Sequence, residues 1–180
     1  ICFFRNSVDY LIGIFFLAMA KMKHDMFSYI TPKPFDISEK ERVFEYDLKV
    51  AEKWLFYYQI FTRTDAILEN KQILELGPGS DMGIGLLFLS KGCIKYNAID
   101  VNSLVKRAPD QFYEYFLNRL EAKVNIATVK YLRLQLEKAK LGSSKRLNYV
   151  VRNDFDIAAA FDAASIDIVF SQAAFEHFDD

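Results

Sequence analysis

Residues 75–85 read Glu-Leu-Gly-Pro-Gly-Ser-Asp-Met-Gly-Ile-Gly, four glycines in eleven residues directly after a short apolar run. Glycine is needed where a backbone bends sharply or approaches a ligand with no Cβ in the way. Which ligand depends on the spacing. A dinucleotide fingerprint would put its third glycine at position 82, which is Met82, and a phosphate-cradling loop would end in Gly-Lys-Ser/Thr, which this stretch lacks. The turn is therefore not read as a phosphate cradle. An acid just ahead of the first glycine, Glu75, marks a loop that faces a cation instead.

Such a turn needs a strand behind it and a helix in front. Gln72–Leu76 (QILEL) is a short apolar run that ends abruptly at Gly77-Pro78-Gly79, and the run from Ile84 to Leu89 beyond it is helix-like. Three further strands are expected at Ile94–Asp100, Leu147–Val151 and Ile166–Ser171, with helical sequence between them. Alternation of this kind predicts parallel βαβ crossovers, an open, mainly parallel α/β sheet, and ligands at the carboxyl ends of its strands. Between the second and third strands, Pro109-Asp110 starts one helix with the stripe Phe112, Phe116 and Leu120. A second carries Ile126, Val129, Leu132 and Leu136 and stops at Gly142. Upstream, two prolines in Thr31–Phe35 break the chain, Ser38 and Glu41 have capping-box spacing, and a long amphipathic helix follows. Its stripe is Val43, Tyr46, Val50, Trp54, Tyr57 and Phe61, and Trp54 and Tyr57, with Tyr58, are expected in the core.

With these pieces in order, Glu75-x-Gly77-x-Gly79 after a strand resembles the first motif of the Rossmann-like class of S-adenosylmethionine-dependent methyltransferases, small-molecule type. The resemblance covers Gln72 to the C-terminus. It implies a Rossmann-like sheet and a cofactor, S-adenosylmethionine, lined by Glu75, Gly77, Pro78 and Gly79. It implies that Asp100, 23 residues after Gly77 and followed by Val101, accepts from both ribose hydroxyls. By the same likeness Asp154 accepts the adenine amine, with Asp156 as its alternative, and Phe155 flanks the ring. Ser171 and Gln172 meet the methionine part. Ala174-Phe-Glu176-His177 is similar to the family's segment after the fourth strand, and His177 oriented by Glu176 is the expected general base for a hydroxyl acceptor. Two departures stand out. Asp81 occupies the third-glycine position of the motif's tightest form, and the chain ends at Asp180, where the family's sheet has three more strands. With Ile1 rather than methionine at its start, the chain reads as part of a longer protein. A non-catalytic Rossmann-like module and a nicotinamide-dependent oxidoreductase are the alternatives.

Composition bounds the remaining choices. Among 180 residues, 52% are hydrophobic and 26% charged, which excludes disorder and low-complexity sequence. The net charge of -1 gives no general field for a nucleic acid, and Cys2 and Cys93 can build neither a disulfide framework nor a zinc site, so no metal is expected. The segment from Ser103 to Arg146 is the exception, with ten basic and four acidic residues. Such a face is usually solvated, and it is also the best candidate for an anionic partner. Tyr10–Ala20 runs eleven residues without a charge, too short to span a bilayer. A packed helix, an interfacial segment and a truncated anchor all remain open for it. The expected organisation is a helical segment over 1–70 and a cofactor-binding α/β domain over 71–180. The expected location is the cytoplasm, with peripheral membrane contact as its variant, and the expected partner is a small-molecule, glycan or lipid-linked acceptor.

Overall fold

The computed structural model describes residue 19 and residues 34–63, 65 and 68–172. The chain divides into two compact units, Ile1–Pro32 and Lys33–Asp180. Tyr10–Ala20 falls in the first, almost wholly outside the described residues; the second carries the fold.

Each strand is a short run of four to six residues. The strands are β1 (Gln72–Leu76), β2 (Lys95–Asp100), β3 (Leu147–Val151) and β4 (Ile168–Ser171). All neighbouring pairs are parallel and the order is β3-β2-β1-β4, the expected Rossmann-like open sheet. The chain winds outward from β1 through β2 to β3, then returns to the other side of β1. That reversal leaves a crevice beyond the carboxyl ends of β1 and β4, where open sheets of this type take ligands. The register levels Glu75 with Ala98 and Phe170, and Asp100 with Val151.

Period-two alternation divides the sheet's side chains between two clusters. Ile73, Tyr96, Ala98, Leu147 and Phe170 join the larger one with the helices α1 (Lys40–Thr62), α2 (Gly83–Ser90), α3 (Asp110–Glu121) and α4 (Ile126–Lys140). Leu74, Leu76 and Ile99 form the smaller one, against Phe155, Phe161, Ile166 and the short α5 (Ile157–Ala160). The stripes predicted for α3 and α4 are buried at Phe112, Phe116, Leu120, Val129, Leu132 and Leu136, while Ile126 in the first turn of α4 is exposed. Gly142 closes α4 at φ 66°, a left-handed conformation natural to glycine. Among the described residues, no helix is long and apolar enough to cross a membrane.

Helix α1 departs from the sequence reading in three ways. Its buried face is Phe44, Asp47, Val50, Ala51 and Trp54, whereas Tyr46, Tyr57 and Phe61 are exposed. The entry is capped by Asp36, which accepts from the Ser38 N–H at 2.9 Å across a single turn of 3-10 helix, and not by Ser38. Nor does α1 belong to a separate segment ending at residue 70. Trp54 stacks on Phe170 of β4 with centroids 4.8 Å apart, and Phe44 meets Phe116 edge-on at 4.9 Å, so α1 shares the core of the sheet.

Candidate functional site

The glycine-rich turn divides into two parts with different work. Gly77 and Gly79 have φ of 69° and 76°, the left-handed region that only glycine enters without cost, and they turn the chain off β1. The Gly77 N–H donates to the Ile99 carbonyl at 2.9 Å and ties the turn to the tip of β2, with Pro78 half-buried between the two glycines. A Cβ built on Gly79 meets no described atom within 4 Å. This is the open side of the turn. Gly83 and Gly85 instead serve packing: a Cβ on Gly83 would lie 2.0 Å from Asp47 Oδ2, and one on Gly85 2.7 Å from the Tyr96 ring.

Asp100 ends β2 beside this open side. It is buried to 7% exposure, and its carboxylate accepts from the Asn102 N–H at 2.9 Å, with the Gly79 and Val101 N–H groups also directed at it. Burial raises its pKa, and the backbone donors oppose the rise. Val101 itself is half-buried. The structure thus brings Asp100, Val101, Gly77, Pro78 and Gly79 together at adjoining strand ends. Ser171 joins them by register, half-buried at the end of β4 opposite Leu76, and the exposed Gln172 follows it.

Glu75 does not face the turn as an exposed carboxylate. Alternation along β1 puts it on the Ile73 face, beneath α2, where it is 2% exposed and accepts a hydrogen bond from the Tyr96 hydroxyl. Burial pushes its pKa to about 8; the Tyr96 bond opposes this, and the nearby Asp81 and Asp100 add to it. At neutral pH the group keeps its proton. The expectation of a carboxylate presented to a cation is corrected to a neutral carboxyl built into the core under the site.

Asp154 also takes a different position. Its carboxylate is exposed and held by a bidentate pair with Arg152, Nε to Oδ1 at 2.8 Å and Nη2 to Oδ2 at 2.7 Å, which lowers its pKa to about 2. The alternative, Asp156, caps α5 by accepting from the Ala159 N–H. Phe155, at φ 49°, packs against the smaller cluster on the opposite face of the sheet from Glu75. Glu176 and His177 lie outside the described residues.

Two acids lie under the turn: Asp81, noted from sequence only as a departure from the glycine motif, and Asp47, which the sequence reading missed. Asp81 accepts from the Gly83 N–H at 2.8 Å and so occupies the amino end of α2, the place where a dinucleotide's pyrophosphate would bind. Asp47 of α1 is 4% exposed, and its Oδ2 has no hydrogen-bond partner among the described residues. Its pKa is raised by burial and then by Asp81, and burial raises that of Asp81 as well. The signal for Asp47 was its step of three and four from Phe44 and Ala51, which puts it on the buried face. Among the described residues no cluster of three or more histidines, cysteines or acids could hold a metal ion.

A titration follows. A carboxyl whose pKa is higher folded than unfolded holds its proton while the unfolded chain has lost it, so stability falls as pH rises from about 4.5 to about 8. Glu75→Gln keeps an acceptor for Tyr96 and removes that proton. Urea unfolding at several pH values across this window is expected to show a slope shallower by up to about 1 kcal/mol per pH unit in the variant. An unchanged slope would place the titration elsewhere.

Comparison of the chain with protein-family models, with curated proteins and with solved structures returned no match.

Proposed function

We propose that this chain binds S-adenosylmethionine at the carboxyl ends of β1 and β2 and transfers its methyl group to a small-molecule, glycan or lipid-linked acceptor. One observation carries the reading: a turn with two left-handed glycines, open beside Gly79, adjoins the Asp100 carboxylate at the sheet's reversal point. The residues fit the sugar end of the cofactor. A carboxylate at a strand tip can accept from two neighbouring hydroxyls, and bare backbone at Gly79 lets them approach. For the adenine end the fit is incomplete, because Asp154 already serves Arg152.

The same geometry disfavours a nicotinamide dinucleotide. Asp81 fills the amino end of α2 with a carboxylate, and the charges acting on Glu75 and Asp47 are those of other acids. A pyrophosphate would meet like charge there; a cationic ligand would not.

When bound, S-adenosylmethionine supplies a methyl already activated by its positively charged sulfur. The protein's part is to hold the cofactor by the Asp100 carboxylate and the turn backbone, to exclude water, and to take a proton from the acceptor where that is a hydroxyl. His177 is assigned this last role, with Glu176 orienting it. His177→Ala is expected to lower turnover and leave cofactor affinity unchanged; an unaltered rate would remove His177 from the mechanism.

Thermal unfolding with S-adenosylmethionine, S-adenosylhomocysteine and NAD tests the proposal. A ligand at about a hundred times its Kd stabilises by about 2.7 kcal/mol, a rise of roughly 5–10 °C in Tm for a chain of this size. A rise with the first two alone is expected. A rise with NAD alone would favour the oxidoreductase, and no rise with any of them would overturn the assignment.

A further inference from the structure

Helix α1 has a second apolar face that the fold leaves uncovered. Tyr46, Phe56, Tyr57, Ile60 and Phe61 are 49%, 57%, 56%, 58% and 85% exposed. Single exposed apolar side chains are ordinary, whereas four within two turns of one helix form a patch that calls for a partner. Cations are interleaved with them. Tyr46, Lys49, Lys53, Tyr57 and Ile60 follow one another at steps of three and four and so share a side, and Lys49, Lys53 and Arg63 are exposed. Lys53 Nζ lies over the Tyr57 ring, 6.0 Å from its centroid.

We propose that this face of α1 rests on an anionic lipid surface, with Phe56, Ile60 and Phe61 entering the headgroup boundary and Lys49, Lys53 and Arg63 meeting lipid charge. Aromatic rings flanked by lysines on one side of a helix are the composition of an interfacial helix. A protein partner fits less well, because lysine is depleted from the centres of protein interfaces. A second copy of this chain fits worst, since a two-fold contact through this face would set the lysines of one copy against those of the other. The inference is independent of which ligand occupies the glycine turn, and it uses residues that a core reading of α1 would have hidden.

Flotation of the full chain with vesicles of phosphatidylcholine alone, and of phosphatidylcholine mixed with phosphatidylserine, provides the test. Binding is expected on the mixed vesicles and is expected to weaken as salt is raised. The double variant Phe56→Ser, Phe61→Ser removes the inserting rings. The pair Lys49→Glu, Lys53→Glu reverses the charge at exposed positions where refolding is not at issue. Each is expected to reduce affinity for the mixed vesicles tenfold or more, since one lysine beside such a surface is worth about fivefold. Absence of wild-type binding, or wild-type affinity in both variants, would overturn the proposal. So would indifference to the lysine pair, or a wild-type dimer abolished by the serine variant, which would assign the face to a second copy.

Discussion

Replacing Asp100 by alanine is expected to weaken S-adenosylmethionine binding by at least a hundredfold, to the limit of detection by calorimetry. Hydrogen bonds to a charged group contribute about 1.5–3 kcal/mol each, and a carboxylate gripping two neighbouring hydroxyls makes two of them. A hundredfold loss corresponds to about 2.7 kcal/mol, just under the lower end of that sum, about 3 kcal/mol. Asp100 also accepts from the Asn102 N–H, so alanine loosens the turn as well as the ligand. Asp100→Asn separates the two effects. It retains an oxygen for Asn102 and loses the charge and one acceptor, so a smaller loss, about tenfold, is expected with little change in stability. Full affinity in Asp100→Ala would detach this residue from the ribose. If the ligand still raised Tm, the cofactor reading would survive with a different anchor.

Trp54→Ala is expected to remove about 3–5 kcal/mol of stability, a large share of the 5–15 kcal/mol typical of a folded domain. Trp54 is 7% exposed and stacks on Phe170, their planes 3° apart, with Phe88 of α2 also in contact. Removing the indole opens a cavity between α1, α2 and β4 that backbone anchored in a sheet cannot close. The experiment also asks where the domain begins. If α1 were a detachable preface, urea unfolding would show a separate early transition for α1 and near-normal stability for the sheet. A single transition shifted to lower denaturant is the expected result, because α1 and the strands share one core.

Where neighbouring residues suffice, the chain is readable. Gln72–Leu76 and Leu147–Val151 are strands to the residue, since each is a short run of strand formers bounded by breakers. The fourth strand opens two residues later than expected. There the Asp167 carboxylate accepts from the Gln72 N–H at 2.7 Å and anchors the start of the pairing, a long-range contact that no local pattern signals. In α3 the apolar positions form one stripe and all of it is buried. In α1 aromatic residues occupy two faces, and periodicity alone cannot choose between them. The choice fell to Phe44 and Trp54, for which Phe116 and Phe170 are waiting. Asp47 went inside with them and stands next to Asp81, 34 residues further along the chain.

The site divides in the same way. The left-handed turn at Gly77 and Gly79 and the acid at the tip of β2 were determined by sequence, because a conformation open only to glycine and the end of a strand are local properties. Tertiary structure alone decided that Glu75 lies in the core with a proton, bonded by Tyr96 from the next strand, and that Asp47 of α1 stands against Asp81. Whether an acid is charged, and whom it meets, depends on desolvation and on partners brought from distant parts of the chain. Those energies exist only once the sheet and its helices have closed around it.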